Sequence, residues 1–135
     1  MDIFTHEQRS ELMARIKGKD TKPEICVRRM AHALGYRFRL HRRNLPGTPD
    51  LTFPRLEKVI FVHGCFWHQH VGCRYAYQPK SNFPFWKKKF SENQTRDTRA
   101  LEDLRSLGWK VLVVWECQTR KPEKLWARIS RFLQV

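Results

Sequence analysis

The first 35 residues carry apolar side chains at helical spacing. A capping box formed by Thr5 and Gln8 predicts the start of a first helix, with Met13 and Ile16 on its apolar face and Gly18 after its end. Residues 1–20 are therefore expected to form an N-terminal arm that contains this helix.

A second helix is predicted to begin at Thr21-Lys-Pro-Glu24. Pro23 lies in its first turn, where the missing N–H costs no hydrogen bond. Met30 and Leu34 contribute to an apolar stripe, and Gly35 is expected to stop the helix.

From Tyr36 the pattern changes to a period of two, which is typical of strands. Residues 36–41 alternate apolar with basic, so we predict a half-buried strand with Arg37, Arg39 and His41 on its outer face. A turn rich in proline then leads into a short strand, Asp50 to Phe53, and the apolar run Lys58 to Val62 predicts a central strand.

After a loop at residues 64–84, the pattern of the remaining sequence predicts a helix, a strand and a final helix. The helix is expected over residues 85–107, the strand over 109–115, and the last helix from Pro122. A sheet that begins as hairpins and gains a strand through a helical crossover indicates a mixed α/β fold. We therefore expect one domain over residues 21–135.

The net charge of the chain limits the classes of partner that it is expected to bind. Its 27 Lys and Arg against 13 Asp and Glu give a net charge of +14, which favours a polyanionic partner such as nucleic acid, an anionic membrane or an acidic protein surface. The longest apolar run is too short to span a membrane, and the N-terminus does not have the pattern of a signal peptide. These features predict a cytoplasmic protein, in which cysteines are metal ligands or buried thiols rather than disulfides.

Four residues in and near the loop have the spacing of a zinc site. Cys65, His70 and Cys73 fall within nine residues, and Cys117 follows the last strand. A Cys₃His set fills all four tetrahedral positions, so this zinc would be structural. The alternative is that Cys65 and Cys117 are buried small hydrophobes, as lone cysteines often are. Cys26, inside the second helix, is expected to be such a core thiol.

A second, catalytic metal is suggested by Asp50 and the histidines. Asp50 begins one hairpin strand, and His63 and His68 follow its neighbour. Mg²⁺ needs only one or two carboxylates besides phosphate and water, and a neutral histidine can take a proton from the attacking water. Together these groups suggest metal-assisted phosphodiester hydrolysis. The alternative for Asp50 is an ordinary turn residue.

Aromatic and basic residues lie close to these candidate sites. Phe66 and Trp67 could wedge between base pairs or fill the core under the loop, and Met13 and Ile16 face the same two possibilities. Candidates for phosphate contacts are Arg37, Arg39, Arg42, Arg43, Lys87, Lys88 and Lys89, any one of which could equally be a solvated charge.

Three longer motifs together resemble the very-short-patch-repair (Vsr) DNA mismatch endonucleases. They are Leu45-Pro-Gly-Thr-Pro-Asp-Leu51, Phe61-Val-His-Gly-Cys-Phe-Trp-His68 and Gly108-Trp-Lys-Val-Leu-Val-Val-Trp-Glu-Cys117. The resemblance covers essentially the whole chain. It implies a restriction-endonuclease-like (PD-(D/E)XK) core and an enzyme that nicks duplex DNA 5′ of the mispaired thymine in T:G mismatches, which arise from deaminated 5-methylcytosine.

The resemblance also implies a role for individual residues. Asp50 and the backbone carbonyl of Val62 would bind the catalytic Mg²⁺, with Glu24 nearby. His68 would be the general base, and His63 would assist at the scissile phosphate. The structural zinc ligands would be Cys65, His70, Cys73 and Cys117. Phe66 and Trp67 would enter the DNA from the major groove, and Met13 and Ile16 from the minor groove.

The implied partners are double-stranded DNA with a T:G mismatch, a cytosine-5 methyltransferase as functional associate, and mismatch-repair proteins. A monomer near the nucleoid of a bacterial-type cell is expected. Two alternatives remain at this stage: a nuclease that acts on matched duplex, and a non-catalytic zinc module that binds nucleic acid through charge and stacking.

Overall fold

The computed structural model describes residues 21–134. Its elements follow in the order α1 (Lys22–Ala33), β1 (Arg39–Leu40), β2 (Leu51–Phe53), β3 (Lys58–His63), α2 (Phe83–Ser106), β4 (Lys110–Trp115), a 3₁₀ turn (Glu116–Arg120) and α3 (Pro122–Leu133). The first predicted helix, with Met13 and Ile16, lies outside the described residues.

Within residues 21–134 the strands form one mixed sheet in the order β1-β2-β3-β4. The pairs β1–β2 and β2–β3 are antiparallel, whereas β3 and β4 are parallel, with Val62 opposite Val114 and His63 opposite Trp115. The long helix α2 makes the crossover between the parallel strands. The predicted mixed α/β class is confirmed.

Side-chain alternation divides the core between the two faces of the sheet. On one face, Ile60 and Val114 pack with α1 and α3 in a cluster that includes Val27 and Ile129. On the other, Val59 and Phe61 pack against Leu104 of α2. Because successive residues of a strand point to opposite faces, Val62 and His63 at the end of β3 turn toward different helices.

The predicted strand beginning at Tyr36 is wrong in its extent, because only Arg39–Leu40 pair in the sheet. Their partner β2 is three residues long and offers Thr52 and Leu51 as opposite positions. Tyr36 and Phe38 still bury their rings against Phe53, with centroids 6.5 and 5.9 Å apart. The alternation therefore correctly predicts side-chain burial but overestimates backbone pairing.

The turn before Asp50 lies directly on α2. Gly47 has φ +74°, and a Cβ atom there would come within 2.6 Å of the Ala100 Cβ atom. Glycine is needed at this position for its conformation and for the close approach of the helix. The turn thereby fixes where β2 begins and where the carboxylate of Asp50 lies.

In residues 21–134, helices long and apolar enough to cross a lipid bilayer are absent.

Candidate active site and metal centre

Asp50 lies just before β2 and reaches across to the end of β3. Its Oδ2 atom accepts a hydrogen bond from the backbone N–H of Val62 at 2.7 Å. The antiparallel register, which places Leu51 opposite Ile60, brings this carboxylate to Val62. Val62 was expected to bind Mg²⁺ through its carbonyl. Its N–H thus also holds the carboxylate of Asp50, the other expected Mg²⁺ ligand.

Glu24 approaches Asp50 from the first turn of α1. The carboxylate of Glu24 is buried, with only 2% of the residue exposed; its Oε2 atom accepts a hydrogen bond from Arg28 and lies 3.0 Å from His41 Nε2. Thr21 caps the start of this helix by accepting from the Glu24 N–H. The predicted helix start therefore carries Glu24 into the site.

Burial dominates the electrostatics of Asp50. The pKa of this carboxyl group is raised from 3.8 to about 8. Burial and, less strongly, Glu24 raise the pKa, while the Val62 N–H and Arg28 lower it. Two carboxylates pressed together in a site of low polarity cannot both stay ionised without a compensating cation. This arrangement fits a divalent cation bound between them.

His41 does not lie on the basic outer face of a strand, so that prediction is wrong. It has φ +49°, its side chain is only 18% exposed, and its Nε2 atom is 3.0 Å from Glu24 Oε2 and 4.0 Å from Asp50 Oδ1. The left-handed backbone conformation breaks the strand alternation and allows the ring to face inward. Glu24, His41 and Asp50 form one of three groups with metal-ligand spacing among the described residues.

The second of these groups joins His63, His68 and Asp97. The rings of His63 and His68 stack with centroids 3.9 Å apart and planes 7° from parallel. His68 Nδ1 lies 2.5 Å from Asp97 Oδ2. Because an ionised carboxylate can only accept, Nδ1 carries the proton and Nε2 is left as the basic nitrogen of the neutral ring.

His63 is kept neutral by its surroundings. Burial and, less strongly, the neighbouring His68 lower its pKa to about 4, and Asp97 opposes both effects. His63 follows Val62 in β3, so the histidine stack and the acidic pair lie one residue apart on the same strand. The two groups meet at the end of the sheet, one from each face.

The third group contains Cys65, His70, Cys73 and Cys117, with their ligand atoms all within 4.8 Å of one another. His70 Nδ1 is 3.7 Å from Cys65 Sγ and 3.5 Å from Cys117 Sγ. A tetrahedral zinc ion with ordinary bond lengths separates such atoms by about 3.6 Å. The donor set and its spacing therefore fit zinc, and the parallel pairing of β3 with β4 brings Cys65 and Cys117 together.

The pKa is raised for two of the three thiols, Cys65 and Cys117, whereas it is lowered for Cys73. Burial raises the pKa of Cys65 to about 12 and raises the pKa of Cys117 as well, so thiolates are unfavourable there by themselves. A bound metal removes the proton and neutralises the charge. Cys26 lies apart from this group in α1 and is half-buried, so the prediction of a core thiol is wrong in its degree of burial.

Trp115, at the end of β4, connects the cysteine cluster with the histidine stack. Its ring stacks on His70 at 4.1 Å between centroids and meets the edge of His63 at 5.3 Å. A metal ion bound by His70 would therefore also hold the Trp115 ring in place, and this ring in turn packs against the neighbouring histidine stack.

Phe66 and Trp67 are half-buried in a group of aromatic rings rather than fully exposed. Phe66 contacts Trp67, Tyr77, Trp86 and Phe90 with ring centroids 5.0–5.4 Å apart. Asn93 of α2 donates to the Trp67 carbonyl at 3.1 Å, which fixes the loop on the helix. Trp86 extends the aromatic group along α2.

The basic residues predicted to contact phosphate lie mostly on the surface. Exposed positions are Arg37, Arg39, Arg43, Lys87 and Lys88, whereas Arg42 and Lys89 are half-buried. The three lysines belong to the first turns of α2, next to the aromatic group.

Four residues of the site were missed by the sequence reasoning: Asp97, His41, Trp115 and Trp86. Asp97 stands between Arg96 and Thr98 on a long polar helix, where an acid is usually a solvated charge. Trp115 fits a buried strand equally well. The one available signal was Trp86, an aromatic residue directly before three lysines.

A carboxylate pair, a histidine–carboxylate pair and a Cys₃His cluster on a basic α/β domain are the groups expected of a hydrolase that acts on a polyanion. The sequence model of the family described as DNA mismatch endonuclease Vsr matches residues 1–74. The chain belongs to this family, which confirms the resemblance inferred from its motifs, and as a member it is a DNA endonuclease.

Curated relatives match over nearly the full chain. The type II nicking enzyme V.XorIIP of Xanthomonas oryzae pv. oryzae is 47% identical over 132 residues, which cover 98% of this chain and 96% of that protein. The type II nicking enzyme V.NmeAIP of Neisseria meningitidis is 38% identical, with 98% and 94% covered. The DNA mismatch endonuclease Vsr of Escherichia coli is 40% identical over 124 residues, with 92% and 79% covered.

Proposed function

We propose that this protein nicks duplex DNA on the 5′ side of the mispaired thymine in T:G mismatches by Mg²⁺-dependent phosphodiester hydrolysis. The observation that carries the proposal is the meeting of two groups at the end of β3: the Asp50–Glu24 pair on one side and the His63–His68–Asp97 stack on the other. Membership of a family described as DNA mismatch endonuclease supports the choice of a mismatched substrate.

The proposed catalytic metal belongs with Asp50, Glu24 and the carbonyl of Val62. When bound, Mg²⁺ would supply positive charge that stabilises the phosphate as its own charge grows. The raised pKa of Asp50 supports this assignment, because the buried acid pair favours a partner cation.

His68 is proposed as the general base. Its Nε2 atom would take a proton from the attacking water, and Asp97 would hold the opposite nitrogen protonated and stabilise the imidazolium that forms. His63, kept neutral by burial, would donate a hydrogen bond to the scissile phosphate. The 3.9 Å stacking fixes both rings for these tasks.

We assign zinc to Cys65, His70, Cys73 and Cys117 with a structural role, since all its positions are filled by protein. The loop held by this zinc carries Phe66 and Trp67, which we propose enter the DNA next to the mismatch together with Trp86. Met13 and Ile16 are proposed to contact the minor groove from an arm formed by residues 1–20.

The wider proposal follows the family. Residues 21–135 would be a single nuclease domain with a restriction-endonuclease-like core, acting as a monomer in the bacterial cytoplasm near the nucleoid. The mismatch substrate implies functional association with a cytosine-5 methyltransferase, whose methylated cytosines deaminate to thymine, and with mismatch-repair proteins.

The test is nicking of two short duplexes that differ only by a T:G pair or a matched C:G pair, with Mg²⁺. Wild type is expected to cut the mismatched duplex once, 5′ of the thymine, and Asp50→Asn is expected to bind but not cut it. Equal cutting of both duplexes would instead support a nuclease for matched DNA, which the relatives named as type II nicking enzymes keep open. Binding without cutting under any divalent ion would support a non-catalytic zinc module.

A further inference from the structure

His41 lies outside the three family motifs, and its side chain faces the proposed site of the catalytic metal. The Nε2 atom of its ring lies near two acids that come from different elements, Glu24 of α1 and Asp50 before β2. The ring reaches this position through a left-handed backbone, with φ +49°. Histidine adopts this conformation more readily than most residues other than glycine, and residues held in it are found preferentially at binding and catalytic sites.

Two distances within this group are close to the separations between ligands of one small cation. Bonds of about 2.0–2.1 Å place neighbouring ligands about 3.0 Å apart and opposite ligands about 4.2 Å apart. His41 Nε2 is 3.0 Å from Glu24 Oε2 and 4.0 Å from Asp50 Oδ1, close to one neighbouring and one opposite separation. These three atoms lie within 4.8 Å of one another.

We propose that His41 contributes an imidazole nitrogen to the divalent-cation site of Asp50 and Glu24, making it a mixed nitrogen and oxygen site. The proposal deepens the proposed function, on which it rests for the catalytic metal. Mg²⁺ prefers oxygen ligands throughout, whereas Mn²⁺ also favours oxygen but, as a first-row transition ion, accepts an imidazole among its ligands more readily than Mg²⁺ does. The site is therefore expected to bind Mn²⁺ more tightly than Mg²⁺ and to lose this preference without His41.

A competing explanation is that His41 only donates a hydrogen bond to Glu24. Arg28 already pairs with the same Glu24 oxygen, so this acid has a charged partner from its own helix. In that case the hydrogen bond from His41 would only orient the Glu24 carboxylate. His41 would then stay bonded to Glu24 when the metal binds. The two explanations differ in whether nitrogen touches the metal.

The experiment is pulsed electron paramagnetic resonance of Mn²⁺ bound to the zinc-loaded full-length protein without DNA. Wild type is expected to give the modulation of a directly bound imidazole nitrogen, and His41→Gln to lose it. In Mn²⁺ titrations the same variant should bind at least about tenfold more weakly, since even indirect partners of a ligand change metal affinity by this factor. Its affinity for Mg²⁺, measured by competition, should fall less.

Two control variants identify which histidine gives the nitrogen modulation. His32→Gln, which changes an exposed histidine at the end of α1, should keep the wild-type spectrum and affinity. Asp50→Asn should lose the nitrogen signal together with the site. A wild-type spectrum without nitrogen modulation would overturn the proposal even if every variant failed to fold. Modulation that persists in His41→Gln or Asp50→Asn would also overturn it, because another histidine would then be the source.

The result is independent of the nicking assay. A protein that binds Mn²⁺ through His41 but cuts no mismatched duplex would contradict the proposed function while supporting this ligand. A protein that nicks only mismatched duplex, but whose bound Mn²⁺ has no nitrogen ligand, would support the proposed function and contradict the role of His41.

Discussion

At the scale of single residues, the position of one proton decides what His68 can do. Asp97 accepts from Nδ1 at 2.5 Å and thereby leaves Nε2 basic. The ring is also stacked on His63, so its orientation is restricted by two neighbours rather than one. A base that is held in the correct tautomer and direction needs little reorganisation when the water attacks.

Replacing Asp97 by Asn should therefore slow nicking without weakening DNA binding. The amide can donate to Nδ1 and so favour the wrong tautomer, and we expect kcat to fall by about 10²–10⁴, the usual contribution of a positioned base. Single-turnover nicking measured beside duplex affinity tests this. The matched control is Asp103→Asn, an exposed acid on the same helix, which should cut like wild type. An unchanged kcat in Asp97→Asn would remove Asp97 from the mechanism.

The raised pKa of Asp50 predicts how pH affects the stability of the Mg²⁺-free, zinc-loaded protein. Between the ordinary pKa of 3.8 and about 8, the native state holds a proton that the unfolded state has lost. The free energy of unfolding therefore decreases as pH rises through this interval, by up to about 1.4 kcal/mol per pH unit. Below the interval both states are protonated, and above it both are ionised.

Urea unfolding at pH 5.5 and pH 7.5, for wild type and Asp50→Asn, measures this contribution. Asn cannot ionise, so the stability gained by the variant relative to wild type should grow with pH. Zinc ligands titrate in both proteins and cancel in the difference. A difference that stays constant would mean that Asp50 ionises normally. Saturating Mg²⁺ should reduce the difference, since it replaces the proton on wild-type Asp50.

At the scale of elements, the ends of β3 and β4 form the centre of the site. Their parallel register places His63 opposite Trp115, and the two strands continue into Cys65 and Cys117. The Cys117 N–H donates to Cys65 Sγ at 3.4 Å, a contact typical of metal-bound thiolates. A metal at this cluster would tie both strand ends and the intervening loop together.

Removal of zinc should therefore loosen the site and lower the melting temperature by many degrees. Chelated protein is expected to melt early and to recover when zinc is added back, followed by calorimetry and metal analysis. Cys117→Ser should lose the ion, whereas Cys26→Ser, which changes a thiol outside the cluster, should keep one zinc per chain. If the chelated protein melts unchanged and wild type holds no metal, the zinc assignment is wrong.

At the scale of the whole molecule, the net charge of +14 governs encounter with DNA. Exposed lysines in the first turns of α2 lie beside the aromatic group, so non-specific attraction is concentrated where the proposed wedge enters. Such binding releases counterions and weakens steeply with salt.

Lys88→Gln should reduce the salt dependence of duplex binding. If Lys88 neutralises one phosphate, the slope of log K against log salt should become shallower by about 0.9 for any duplex sequence. The control is Lys124→Gln, because this exposed lysine lies on α3, the helix on the opposite face of the sheet. Equal changes in both variants would mean that charge acts through the whole surface and not through α2.

Much of the element order could be predicted, because it depends on local spacing. Period and turn residues predicted both ends of α1, β3, α2 and β4 to within about two residues, and they predicted the start of α3. The strand from Tyr36 was overestimated, since pairing requires a partner and β2 is only three residues long. Local pattern contains no information about the length of a neighbour.

The sequence by itself determined the donor types and the family. Closely spaced cysteines and a histidine predict a metal cluster, and long motifs around Asp50 and His63 identified an endonuclease. Only the tertiary structure decided which distant side chains join them: Asp97 across 29 residues, Glu24 beside Asp50, and His41 turned inward by its backbone. The physical reason is that residue spacing encodes periodicity along one element, whereas an active site depends on where separate elements end next to each other.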